Sequence, residues 1–432
     1  GVLHWGGALY ALSDHAPPHE LHKQVLDTVG ESSMGGLLDD VKGLTGKYKV
    51  LPSASGEPER AVLMSAAQSG LDALLKFVEL DPAGRVITDM RYRVPGALAR
   101  MITDFVVTEH WYVVVAPPVA FNAQRFMASY LVGDASFGEC FEFQADKPAR
   151  VHLIPRTPNP PPPPKLSRAQ AVQVKAGIKT LPPPQRNTAA PIVLDAPPMV
   201  SSALVNGYEL DGGRYVVVDL VAQGDLHYWK DYTQMVPGYF SGQPKPELTR
   251  LVVNTANTTL TARTLSHRSS EHVAVSPGRA GRPHKYLFSA ASALDDPKTW
   301  GPPQVIAKHI VPPQFSIPGF SAGARHRTAT AHEVWTPGDR SFVGPLTLVP
   351  KAGATAEDDV WVLAMIHDAE YAKAELAILD GARITAGPVA CVLLPHHVPY
   401  GKGTAWARAW YGPGRLMDKD AEWAPRTPGA LL

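Results

Sequence analysis

A chain of 432 residues with 45% hydrophobic content can bury a large core, and this length fits one big all-β domain as well as two or three smaller units. Its 41 basic and 40 acidic residues leave a net charge of +1, too little for the strong field that nucleic acid or an anionic membrane would select. Cys140 and Cys391 are far apart and outside any CxxC pair, which argues against a disulfide framework and fits a reducing compartment, and no apolar run approaches the roughly 18–20 residues needed to cross a bilayer.

In chain order, Gly1–Ser13 reads as two short strands around Gly6-Gly7 rather than as a targeting peptide. His15, His19 and His22 are spaced so that a helix would bring them to one face, as a three-histidine metal cluster needs, but Pro17 and Pro18 argue against that helix and for a surface loop. Residues 61–80 and 84–94 predict strands with a turn at Asp81-Pro82-Ala83-Gly84, and Ile102–Val115 predicts one long apolar strand. Residues 157–199 are proline-rich, with a short helix predicted across Leu166–Ile178; this stretch reads as an extended surface insertion, either a docking arm or a decorative loop. Alternation resumes in Ala203–Gln223, Glu247–Asn254 and Glu271–Ala290. The stretch from Gly344 to Trp406 predicts four strands at Leu346–Val349, Val360–Ile366, Glu375–Leu379 and Val389–Leu394, separated by turn formers, which is one blade-sized antiparallel unit.

The wording of that last stretch is specific. LVPKAGATAEDD, AELAILDG, AGPVA and LPHHVPYG, together with the earlier GECFEF, DKPARVHLIPR and GRPHKYLF, resemble the carotenoid cleavage oxygenases, the retinal pigment epithelial membrane protein family, in its cyanobacterial and plastid-type branch. The resemblance implies an all-β fold, a seven-bladed β-propeller spanning residues 1–432 as a single domain, with 157–199 inserted and with Pro118–Phe126 and Gly138–Arg156 forming a strand pair. Gly1–Ser13 matches a segment that a substantial portion precedes in the family, so the amino-terminal part of the propeller is expected to be missing from this chain.

Family activity implies iron(II) held by four neutral imidazoles near the propeller axis, with open positions for oxygen and substrate. The flanking words of all four ligand motifs are present here and the histidines are not. Lys47 stands in GKYKVLP where AHPKxDP is expected, Thr103 in ITDFVVT where IHDFAxT is expected, Ala203 in SALVNGYE where FHxxNAYE is expected, and Gly403 in VPYGKGTAW where VPYGxHGxW is expected. Glu271 matches a glutamate that orients a ligand histidine, whereas Pro345 stands where a second such glutamate belongs. No metal is therefore expected at the family site, and Lys47 is a candidate partner for Glu271 or, alternatively, a Schiff-base lysine for a carotenoid-derived aldehyde.

These replacements lead to the expectation of a non-catalytic relative, a structural or accessory subunit of a larger assembly. The branch resembled adds a chloroplast and thylakoid-associated location as an analogy. Other protein subunits are the expected partners, with peripheral membrane contact as a further one and no nucleic acid. The alternative is a module that binds a carotenoid, an apocarotenoid or a lipid in a retained apolar tunnel. A third reading is an oxygenase with a relocated metal, for example on His15, His19 and His22.

Overall fold

A computed structural model describes residues 1–14, 16–38, 43–53, 58–156, 190–226, 240, 244–296, 299–314, 332–395, 398–401 and 403–407. The helix expected at Leu166–Ile178, most of the 157–199 insertion, His15, His396 and His397 lie outside them.

Strands dominate, because β-branched and apolar residues alternate between turns that few residues other than glycine can make. β1 (Val2–Trp5) and β2 (Ala8–Ser13) turn at Gly6 and Gly7, whose φ of 58° and 77° favours glycine. β3 (Ala16–Leu21) and β4 (Thr28–Glu31) complete the first four-stranded antiparallel sheet. Pro17, Pro18 and His19 thus lie in a strand, where a loop was expected; β3 pairs with β2 at Ala16 and with β2 and β4 at His19, Glu20 and Leu21, and the register shifts across the two prolines, which lack an N–H.

The second sheet is β5 (Lys49–Leu51), β6 (Arg60–Ser69), β7 (Asp72–Leu80) and β8 (Val86–Val94), with the expected turn after Leu80. The single strand expected at Ile102–Val115 is instead a hairpin of β9 (Val106–Val107) and β10 (Trp111–Ala116). Its turn is held by the Thr108 amide donating to the Trp111 carbonyl at 2.8 Å. β11 (Val119–Phe121) pairs with β12 (Phe141–Phe143), as the predicted strand pair implied, but Ala123–Tyr130 between them is helical, capped by Asn122 accepting from the Arg125 amide at 2.8 Å. β13 (Ala149–Pro155) and β14 (Ile192–Ala196) join β10 and β9 in a third four-stranded sheet, so the last residues assigned to the insertion belong to a blade.

β15 (Val200–Leu210), β16 (Tyr215–Gln223), β17 (Glu247–Asn254), β18 (Thr259–Ala274), β19 (Tyr286–Ser292), β20 (Pro303–Ile310) and β21 (His332–Trp335) form one seven-stranded sheet. The 16-residue β18 pairs with β17 over Thr259–Ser269 and with β19 over Ser270–Ala274, so two four-stranded halves share it. The last sheet, β22 (Ser341–Pro350), β23 (Val360–Asp368), β24 (Lys373–Asp380) and β25 (Pro388–Leu393), contains all four strands expected in that stretch. Discrete four-stranded blades therefore number four among the described residues rather than the seven expected, and β18 joins two further four-stranded halves into one sheet.

The core lies between successive sheets. Leu3 and Leu12 of the first pack on Leu63, Val78 and Leu80 of the second; Phe77 and Leu75 pack on Tyr112 and Val114 of the third; Val113 and Leu153 pack on Val216 and Leu220 of the next; Phe288 and Ile306 pack on Val362 and Leu379 of the last. Successive sheets thus bury faces against one another in chain order, and Gly403 comes back to the amino-terminal residue, where a Cβ on it would lie 3.6 Å from the Gly1 Cα.

Two buried carboxylates, near the end of β7 and in the middle of β16, pin the sheets. Glu79 accepts from Arg60, Arg156 and the Tyr112 hydroxyl, while Asp219 takes both arms of Arg250 at 2.7 Å with His284 Nε2 at 2.9 Å. Arg250 also donates to the Pro312 carbonyl at 2.7 Å, as Tyr208 does to that of Pro313 at 2.8 Å. Replacing Asp219 by Ala leaves a fully buried guanidinium uncompensated, and denaturant unfolding should show a loss of about 3–5 kcal/mol; a change below about 1 kcal/mol would contradict this role.

Candidate functional site

Of the four positions that the resemblance assigns to metal ligands, Lys47 meets the chain neighbours of Thr103 and Ala203. Lys47 lies just before β5, its carbonyl accepting from the Thr45 hydroxyl at 2.8 Å. Its ammonium donates to the Ser202 carbonyl, next to Ala203, and lies 3.4 Å from Oδ2 of Asp104, next to Thr103. Gly403 comes to the neighbouring amino-terminal residue rather than to this ion pair. It borders Gly1, and a Cβ on Gly46, the residue before Lys47, would be 3.3 Å from the Gly1 nitrogen. The Thr347 hydroxyl donates to that of Thr404 at 2.6 Å and ties this return segment to β22.

At the centre is not a set of imidazoles but a carboxylate between two ammonium groups. Lys49, pointing inward from the first residue of β5, places Nζ 3.0 Å from Oδ1 of Asp104 and donates to the Leu204 carbonyl at 2.7 Å. Asp104 also accepts from the amides of Phe105 and Leu204, each at 2.8 Å. Burial alone would raise the Asp104 carboxyl, but Lys49, then Lys47 and the Leu204 amide outweigh it and hold it below the ordinary value of 3.8. Burial pushes the Lys49 ammonium down, opposed by Asp104 and reinforced by Lys47. Two lysines against one carboxylate leave the cluster with a surplus positive charge, and Lys47, 37% exposed, carries it toward solvent.

This donor set does not fit iron(II). A protonated lysine has no lone pair to give, alanine and glycine have no side-chain donor, and one threonine hydroxyl is a poor substitute for four imidazoles. Among the described residues no group of three histidine, cysteine or carboxylate side chains is placed to hold a metal ion. His19 Nδ1 lies 3.2 Å from the Pro17 carbonyl, and His22 Nδ1 accepts from the Gln24 amide at 3.3 Å, both local backbone contacts.

The pairing of Lys47 with Glu271 is corrected: the ammonium goes to Asp104, which comes closer because it follows Thr103 directly in the loop that enters β9. Glu271 sits on β18 opposite Ala290, beside His272, whose φ of 48° marks a register irregularity in that ladder. Pro345 is buried in the corresponding irregularity of β22 between Val343 and Leu346. The Tyr400 hydroxyl donates to the Val343 carbonyl at 2.9 Å and lies 3.4 Å from His272 Nε2, so a phenol occupies the space between these two bulges.

Lys49 and Asp104 were not singled out from the sequence. The signals were a charge in alternation in Lys47-Tyr48-Lys49 and an aspartate at the head of the apolar Phe105-Val106-Val107, but nothing local links them.

The profile of the retinal pigment epithelial membrane protein family matches residues 1–177 and 181–408. The chain belongs to this family. Apocarotenoid-15,15'-oxygenase of Synechocystis sp. is 27% identical over 410 residues, covering 94% of this chain and 72% of that protein. Isoeugenol monooxygenase of Pseudomonas putida is 22% identical, covering 91% and 71%. The cobalt-substituted Synechocystis apocarotenoid oxygenase superposes with a TM-score of 0.75 at 25% identity, covering 94% of this chain and 74% of that one. The successive packed sheets are accordingly a β-propeller arrangement of the carotenoid oxygenase type.

Because the folded carboxyl of Asp104 is depressed, its ionised form contributes stability above the ordinary value of 3.8 that is lost as pH falls through the lower folded value. Asp104→Asn should lower stability at pH 7 and flatten its decline below about pH 4 relative to the unmodified protein. Equal slopes for the two proteins would show that Asp104 is not held by the lysines.

Proposed function

We propose that this family member is a non-catalytic propeller, retained as a structural or accessory subunit rather than as an iron-dependent oxygenase. The observation that carries the reading is the Lys47–Asp104–Lys49 cluster. An ammonium group pairs with a buried carboxylate where the family resemblance places a ligand histidine, and the residues it meets, Asp104 and Ser202, adjoin Thr103 and Ala203 in the chain. Iron chemistry needs lone-pair donors and open coordination positions, whereas this centre presents hydrogen-bonded cations that would repel a divalent ion. The names of the relatives describe oxygenases, and the fold is shared, but chemistry depends on the site rather than on the fold.

The reading extends to partners and place. Other protein subunits are its proposed partners, and the likeness to a cyanobacterial relative supports a chloroplast location in a thylakoid-associated assembly. Nothing in the charge balance favours nucleic acid. Purified protein supplied with ferrous iron, oxygen and an apocarotenoid should form no aldehyde product above the protein-free control. Chelator-sensitive cleavage would overturn the proposal.

A second reading, a module that binds an apolar ligand or touches a lipid surface, is favoured by one surface. The helical segment Ala123–Tyr130 packs Phe126 against Phe121 and Phe137, yet its Met127 and the following Leu131 and Val132 stay exposed. Among the described residues no helix is long and apolar enough to cross a membrane, so contact through this segment would be peripheral. On this reading the protein co-sediments with lipid vesicles, and the double change Met127→Glu and Leu131→Glu releases it. Vesicle binding that the double variant leaves unchanged would remove this surface from consideration.

A further inference from the structure

His152 is a buried ionisable group outside both the Asp104 cluster and the two carboxylate pins. It lies on β13 opposite Val114 of β10 and Val193 of β14, and its ring meets Tyr92 of the second sheet edge-on, with 5.9 Å between centroids. The Tyr92 hydroxyl is 3.2 Å from Nδ1. Only 1% of His152 is exposed, and Nε2 is buried with no hydrogen-bond partner among the described residues. Tyr92 packs on the apolar layer of this seam, which joins Leu75, Phe77 and Val94 to Tyr112, Val114 and Ile154. The charge that acts on the imidazole is a cation, Arg150, two residues away on the same strand. The carboxylates nearby are committed elsewhere or wet: Glu79 to Arg60, Arg156 and Tyr112, Asp72 to Arg93 and the Gly96 amide, while Asp195, opposite Arg150 on β14, is exposed. On β8, Asp89, Arg91 and Arg93 alternate with Tyr92 and so point to the other side of the sheet, where Lys76 of β7 meets Asp89; Arg100, in the segment after β8, lies over Phe137.

We propose that His152 is an acid-sensitive latch on the seam between the second and third sheets: neutral, it packs the seam shut; protonated, it opens β8 and the β13–β14 ladder to water. An imidazolium donates from both nitrogens. Nδ1–H has the Tyr92 oxygen as acceptor, but Nε2–H has none, and the added charge sits beside Arg150 in a dry layer, so the protonated form is relieved only when water reaches the ring. Burial first, then Arg150, push the imidazole down to about 4. In the opened seam the group returns to its ordinary value of 6.5, so closure is complete above that value and is lost as pH falls toward 4. Between pH 7.5 and pH 5 the opening constant should rise roughly 30-fold. Asp104 stays ionised through this window, because its carboxyl is held below 3.8, and the latch therefore works whether or not the centre of the ring is catalytic. β13 and β14 are the strands that flank the proline-rich stretch in the chain, so acid loosens the footing of that insertion.

Amide hydrogen exchange of the intact chain, read by mass spectrometry and corrected for the intrinsic effect of pH, tests the latch. Exchange in β8, β13 and β14 should accelerate by that factor between pH 7.5 and pH 5, while the β22–β25 sheet stays unchanged. His152→Leu should abolish the acceleration, and Arg150→Gln, which removes the opposing cation, should shrink it without abolishing it. The proposal is overturned by exchange in these strands that does not accelerate on acidification, by acceleration spread equally over all sheets, or by acceleration that His152→Leu leaves in place. Should His152→Leu fail to fold, an acceleration that Arg150→Gln leaves at its full wild-type size would overturn the proposal, and a smaller one would support it.

Discussion

The structure near the centre of the ring depends on one buried carboxylate. Asp104 is reached by ammonium groups from Lys47 and Lys49, by its own neighbour's amide and by the amide of Leu204, so a single side chain joins β5, the loop before β9 and β15. Each of those elements belongs to a different sheet. A metal ion held by histidines from several blades would impose the same convergence through coordination bonds; here hydrogen bonds and ion pairs impose it. The trade is physically coherent, because a carboxylate taken out of water needs compensating charge and donors, and Asp104 has both. Without the lysines the carboxylate would be stranded; without the carboxylate two ammonium groups would repel each other beside the propeller axis.

The same logic recurs at Glu79 and Asp219. Each of these buried carboxylates is saturated by arginine and by a tyrosine hydroxyl or an imidazole, and each links strands with their loops. The propeller is therefore held by apolar packing between sheets and by charged pins at a few depths, and the cluster around Asp104 is the pin at its inner end. The buried charges at Glu79 and Asp219 sit on middle strands, β7 and β16, whereas the Asp104 cluster joins first strands and the loop before β9.

Much of the fold was legible from local chemistry. The four strands from Ser341 to Leu393 stand out because short polar or glycine-containing connections break runs of valine, isoleucine and leucine, and Gly6-Gly7 marks the first hairpin as plainly. The β9–β10 hairpin was hidden because Thr108-Glu109-His110 turns without glycine or proline, its geometry set by the Thr108 hydroxyl and by Glu209 from a distant strand. The helical segment after Asn122 carried a recognisable cap, but the strand-like wording around it obscured that signal. Blade count was not legible, since nothing in Thr259–Ala274 announces that one strand serves two half-sheets. The candidate site divides the same way. Lys47, Thr103, Ala203 and Gly403 could be found only through family resemblance, and the Asp104–Lys49 contact spans 55 positions that no local pattern connects.

The central claim is that charge and hydrogen bonding replace a metal at this centre. Metal content of the protein purified gently from its source, measured by inductively coupled plasma mass spectrometry, tests it most directly. The account predicts iron far below one atom per chain, before and after incubation with ferrous salt. Stoichiometric iron that survives gel filtration would contradict it and return attention to histidines elsewhere in the chain.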